Sequence, residues 1–179
     1  GLLPEGKDET GGAYALVKGG TASKHKDTAL SHALTSSGGE AIALRELPKP
    51  ANRKLVLKTS YKSLASGSTK NAAIAFGDTP KNDTLLKVGT AIGMNAHVLF
   101  LGSWDNVNSG AKSTMQAPTD SSFDLTLSVD IAKRSVTATI NDRALTFPLP
   151  EDIKQIRYFG PYVKGTSSAF APIEVIEAE

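Results

Sequence analysis

The segment Phe123–Val129 constrains the fold of this chain more than any other stretch. In FDLTLSVD, the apolar residues Phe123, Leu125, Leu127 and Val129 alternate with Asp124, Thr126, Ser128 and Asp130. A strand projects successive side chains to opposite faces, so this is a strand with one dry face and one wet face. IAKR then supplies a reversal. SVTATI repeats the alternation through Val136, Ala138 and Ile140, Asn141-Asp142 suits a tight turn, and Leu145 and Phe147 resume the apolar face. Strands that are dry on one side need a second layer to cover that side, which is how two antiparallel sheets stack.

The rest of the chain reads in the same units. GEAIALREL places Ala41, Ala43 and Arg45 on one face and Ile42 and Leu44 on the other, and PKPAN reads as a break. RKLVLKTSYKSL, NAAIAFGD, TLLKVGTAIGM and AHVLFLGSW are further strands, separated by ASGSTKN, TPKND and glycines. IKQIRYFGPYV is another, in which Gly160 and Pro161 suggest a bulge or an edge position. Residues 1–40 are expected to be partly irregular, with a short strand at Tyr14–Val17 and a loop through GGTASKHK. About ten short strands and no long helix predict an all-β, antiparallel two-sheet β-sandwich over residues 1–179.

Composition narrows the function classes. With 20 basic and 18 acidic side chains the formal net charge is +2, too small for the basic field that nucleic acid requires. Cysteine is absent, so disulfides, thiol catalysis and cysteine zinc sites are excluded. No apolar run approaches the ~18 residues of a membrane span. The chain opens Gly-Leu-Leu-Pro without a Met and is expected to be cut from a larger or leader-bearing protein.

The order of pieces in the second half resembles the concanavalin-A-like, laminin-G-like jelly-roll domains. The pieces are FDLTLSVD, SVTATINDRALTF, IKQIRYFG and FAPIEVIEA, preceded by AIAFGD and LLKVGTAIG, and the resemblance covers about residues 70–179. It implies a curved two-sheet domain, often glycan-binding. Such domains frequently stand beside a sulfatase or glycoside hydrolase domain in secreted bacterial proteins. Fold alone does not fix function, so these remain expectations.

Glycoside hydrolysis needs two carboxylates about 5–10 Å apart. Glu174, Glu177 and Glu179 come nearest to the Glu-Asp-Glu strand pattern of glucanases with this fold, but Glu174 is out of phase and no Asp is present. Asp124 and Asp130, with Thr126 and Ser128 between them, read as a solvated outer sheet face. His25, His32 and His97 are scattered, with no third ligand nearby to hold zinc. Asn82-Asp83-Thr84 fits a glycosylation sequon, a frequent chance match.

GSWDNVNSG is the segment with the most functional character. Trp104 is the sole tryptophan, and Asp105, Asn106 and Asn108 follow it in a loop between strands. A sugar offers apolar C–H faces and a ring of hydroxyls, which an aromatic platform and planar amide or carboxylate groups match. The plainer alternative is that Trp104 packs in the core while Asp and Asn make the turn. The expectation for metal is none, apart from a weak calcium reading at Asp105 and Asn108 whose spacing is not that of an EF-hand.

The reading that results is a non-catalytic carbohydrate-binding or accessory module of a secreted or periplasmic bacterial protein. It binds a glycan or sits against a neighbouring catalytic domain, and needs no cofactor. The alternatives are a structural or protein-interaction domain, and a glycoside hydrolase of the same fold with an unrecognised site.

Overall fold

The computed structural model describes residues 14–24, 30, 32–36, 39–63, 69–93, 96–100, 114–116 and 122–178. Among these run β1 (Ala15–Lys18), β2 (Thr21–Lys24), β3 (His32–Thr35), β4 (Glu40–Ala51), β5 (Lys54–Ser63), β6 (Thr69–Gly77), β7 (Leu86–Gly93) and β8 (Ala96–Phe100). They continue as β9 (Thr114–Gln116), β10 (Ser122–Asp130), β11 (Ser135–Ile140), β12 (Arg143–Pro148), β13 (Ile156–Lys164), β14 (Ser167–Phe170) and β15 (Glu174–Ala178). One sheet has the order β1-β4-β13-β6-β7-β8-β9, the other β12-β11-β10-β5-β14-β3-β2, with β15 also on β5. Every described pairing is antiparallel. The protein is an all-β, two-sheet sandwich.

The alternation in β10 has the role its pattern demands. Phe123, Leu125, Leu127 and Val129 are buried while Asp124 and Ser128 are exposed. β10 pairs residue for residue with β5 and β11, and β11 with β12 across a two-residue turn at Asn141 and Asp142. Asn141 adopts φ 52°, the left-handed conformation expected of that position, and its Oδ1 accepts the Asp124 backbone N–H at 2.9 Å. The inward faces of both sheets meet in one core, where Tyr61 packs between Phe123 and Phe170 at 5.6 and 5.5 Å. The Tyr61 hydroxyl shares a 2.9 Å hydrogen bond with Thr90 of the opposite sheet. Burial pushes that phenol's pKa well above its ordinary value.

Three sequence expectations change. The PKPAN break is inside β4: the register of β13 against β4 jumps between Ile156 and Tyr158, and Pro48 and Pro50 fall in that bulge. β1 covers only Ile42–Leu44 of β4, so on its other side the proline stretch lies beyond the ladder and needs no donor. β13 is central, not an edge. Its ladder to β6 is continuous through Pro161, while partners on β4 stop at Phe159 and resume at Tyr162. A Cβ on Gly160 would stand 1.8 Å from the Ala43 carbonyl oxygen, so only glycine allows that close strand approach. Finally, GGTAS is not wholly loop: Gly20, at φ 77°, carries the chain from β1 in one sheet to β2 in the other. The short β2, β3, β9 and β14 raise the described strands above the ten expected.

The seven-stranded sheet is buried on its outer face as well. Ile42, Leu44, Ala73, Ala75, Leu85, Ala91 and Tyr162 form a second apolar cluster there. The connection between β6 and β7, with a 3-10 turn at Asn82–Thr84, supplies Leu85 to it.

Candidate functional site

On this outer face the chain gathers a set of charged and polar side chains. Glu40 starts β4, Lys18 ends β1, Tyr162 lies in β13, Lys87 in β7, and Asn82 in the 3-10 turn. The Glu40 carboxylate accepts from three directions: the Tyr162 hydroxyl on Oε1 at 3.0 Å, and Lys18 Nζ and Asn82 Nδ2 on Oε2 at 2.5 and 2.9 Å. Lys87 has no exposed surface. Its Nζ donates to the Asn82 carbonyl at 2.8 Å and lies 5.5 Å from the centroid of the Tyr162 ring, which offers it a cation–π contact.

The electrostatics follow from burial and from these partners. Burial pushes the Lys87 ammonium below its ordinary pKa, and the nearby Glu40 opposes the shift. For Glu40 burial pushes the other way, but the hydrogen bonds from Lys18 and Tyr162 outweigh it and the carboxyl sits below its ordinary value. The partners thus favour the charged form of Glu40, while burial works against the charged form of Lys87. Register extends the cluster sideways: Glu40 stands opposite Lys164, Lys164 opposite Asn71, and Asn71 opposite Ala91. Asn71 is fully buried, and neither atom of its amide has a hydrogen-bond partner.

The outer face of the eight-stranded sheet is different. An open depression of about 300 Å³ lies where β14 gives way to β15 along β5, lined by residues including Lys58, Ser60, Asp124, Thr126 and Glu174. Asp124 is engaged by the Ser60 hydroxyl at 2.5 Å, and Asp130 by the Lys133 N–H at 2.9 Å. Six residues of strand separate the two carboxylates, roughly 20 Å at 3.3 Å per residue. That is too far for the paired carboxylates of a glycosidase. This face is solvated sheet surface, as its Thr and Ser content suggests.

Trp104, Asp105, Asn106 and Asn108 lie outside the described residues, in the stretch joining β8 to β9. His25 and Glu179 lie outside them too. His32 and His97 belong to β3 and β8, in opposite sheets. Among the described residues no three of His, Asp and Glu come together as metal ligands would. Glu174 is exposed at the start of β15. Asn82 of the sequon is half-buried, with its amide nitrogen spent on Glu40. The Glu40–Lys87 cluster was not read from sequence. One signal was there: Lys87 is the only charge in LLKVGTAIG, a strand otherwise apolar or small.

No family model matches the chain, and no curated protein matches it. Solved structures do. The carbohydrate-binding module CBM66 from Bacillus subtilis superposes with a TM-score of 0.68 at 12% identity, over 92% of this chain and 95% of that one. The fold is shared. The carbohydrate recognition domain of Emp47p matches at TM-score 0.61 and 10% identity, over 99% and 93% of the two chains. A Bacillus subtilis protein of unknown function with a galectin-like fold matches at 0.57 and 10%, over 92% and 89%. At such identities the likeness speaks for the architecture, which is that of the galectin-like and carbohydrate-module sandwiches.

Proposed function

We propose that this chain is a non-catalytic carbohydrate-binding module of the concanavalin-A-like, laminin-G-like jelly-roll group. It would belong to a secreted or periplasmic bacterial protein and stand beside a catalytic domain such as a sulfatase or glycoside hydrolase. The observation that carries this reading is the end-to-end superposition on structures described as a carbohydrate-binding module and a carbohydrate recognition domain. It is supported by a sheet face that holds polar and titratable side chains and an unspent amide over an apolar floor. A protein-docking role has less support: among the described residues the exposed large hydrophobics are Leu16, Val17 and Ile176, split between the two sheets.

The sequence adds Trp104 as the aromatic platform, with Asp105, Asn106 and Asn108 as polar contacts and calcium at Asp105 and Asn108. A glycan array followed by titration of the Trp104→Ala variant tests the reading. Loss of one stacked ring is expected to weaken binding by about 1–3 kcal/mol, or roughly 5- to 150-fold. Unchanged binding removes Trp104 from the site, and an array without a single retained glycan sinks the module reading. Repeating the titration after chelation tests the calcium.

A further inference from the structure

We infer that the depression on the outer face of the eight-stranded sheet is a second sugar site, which takes a single neutral ring by its vicinal hydroxyls. The inference rests on the carbohydrate reading and adds a site built from residues that the Trp104 proposal does not use. A bulge makes the depression. Phe170 pairs with Tyr61 and Glu174 with Lys58, so the three residues 171–173 span what Thr59 and Ser60 span on β5. One extra residue changes the phase of the chain. Phe170 faces the core, and regular alternation would turn Glu174 inward as well. Instead Ile173 takes the core position and Glu174 stands exposed beside Lys58. The bulge is tied to β5: the Ala171 N–H donates to the Ser60 carbonyl at 2.8 Å, and the Thr59 hydroxyl to the Ala171 carbonyl at 2.9 Å. Pro172 has no N–H with which to close the ladder.

The groups around the depression select the ligand. β15 and β10 lie two strand spacings apart, about 10 Å, with Lys58 and Ser60 of β5 between them. Asp124 is fixed twice: Asn141 holds its backbone N–H, and the Ser60 hydroxyl donates to Oδ1, which leaves Oδ2 to accept from a ligand. Lys58 and Glu174 stand opposite each other, yet among the described residues neither has a hydrogen-bond or ion-pair partner. Two carboxylates repel a bare anion, and the ammonium between them repels a bare cation. Paired hydroxyls suit both kinds of group, because each hydroxyl donates and accepts. Asp124 and Glu174 accept, Lys58 donates, and Thr126 does either. Ala171 and Pro172 in the lining offer apolar surface to the C–H groups of a ring. With two negative charges against one positive, a neutral sugar is favoured over an acidic one. The volume of about 300 Å³ is at the small end for ligand sites, which fits one ring rather than a long stretch of polysaccharide.

Amide chemical-shift mapping of the whole chain by NMR tests this. The probes are the methyl glycosides of galactose, glucose, mannose and fructose, with galacturonate as the acidic counterpart of galactose. At least one neutral glycoside is expected to shift the amides of Ser60, Asp124, Thr126 and Glu174, with a Kd on the order of a millimolar, as a ligand of that size allows. Galacturonate is expected to bind there more weakly than the galactoside. Asp124→Asn and Lys58→Met should each weaken binding about tenfold, since each removes a charge-assisted hydrogen bond. Both positions are exposed, so the melting temperature of either variant should stay close to the parent's. Shifts confined to other parts of the chain overturn the site and leave the carbohydrate reading standing. Full binding by both variants, or galacturonate bound more tightly than the galactoside, also overturns the inference. So does the absence of shifts with all four glycosides. Combined with a glycan array that retains nothing, that last result takes the carbohydrate reading with it.

Discussion

An ammonium with no exposed surface is an expensive thing for a fold to keep, and Lys87 is kept by its neighbours. Removing one partner of a buried charge set costs more than the set is worth, because the other charge is left without compensation. Glu40→Ala is therefore expected to destabilise the protein by roughly 1–2 kcal/mol, below the value for a fully enclosed pair because Lys18 and Glu40 retain some solvent. The pH dependence has a definite sign. The Glu40 carboxyl is held below its reference value of 4.5, so its contribution is present above that pH and is lost as pH falls through the folded value. Glu40→Gln keeps the shape without the charge. Urea denaturation at neutral pH should show it less stable than the parent, with the gap closing below about pH 4.5. A gap that stays constant into acid would remove Glu40 from this account.

Among the elements, β13 shows why some strands were easy to read and others were not. β10 is dry on one side only, so its sequence alternates and its pairing with β5 and β11 could be anticipated. β4, β6 and β13 are covered on both sides, by the sandwich core and by the outer cluster, so alternation disappears from them. Gly160 and Pro161 then look like edge signals. In fact they mark the place where two central strands come too close for a Cβ, beside a proline that has no N–H to give the ladder. Gly160→Ala should cost more than about 3 kcal/mol, beyond the usual range for overpacking, because the obstruction is backbone rather than a movable side chain. Gly39→Ala, with no atom near the added methyl, is the control and should stay within about 0.5 kcal/mol. Thermal denaturation of the two variants makes the comparison, and equal melting temperatures would contradict it. The outer cluster was hidden for a different reason. Lys18, Glu40, Asn82, Lys87 and Tyr162 are scattered along most of the chain and meet only through sheet pairing. A single lysine in an apolar strand hints at such a cluster but cannot say who its partners are.

At the scale of the molecule, β5 is where the eight-stranded sheet is joined. Its one edge takes β10 along the whole length, and its other edge is shared end to end by β14 and β15. Deleting residues 174–179 uncovers half of that second edge while leaving the sandwich core facing the opposite sheet. An uncovered central strand is a template for pairing with another chain. The truncated protein is expected to fold with lower urea resistance and to associate on size-exclusion chromatography in proportion to its concentration. A truncated chain that remains monomeric and as stable as the parent would show that β15 is decoration.

The connection between β6 and β7 carries the part of the charged cluster that lies outside the strands. It takes part in no ladder of either sheet, yet its Asn82 holds Glu40 with its amide and Lys87 with its carbonyl. Lengthening or shortening that turn would leave every strand register untouched and would rewire the charged cluster. Eight residues of loop thus decide how Glu40 and Lys87 are held, and editing them changes the stability those groups contribute without moving a strand.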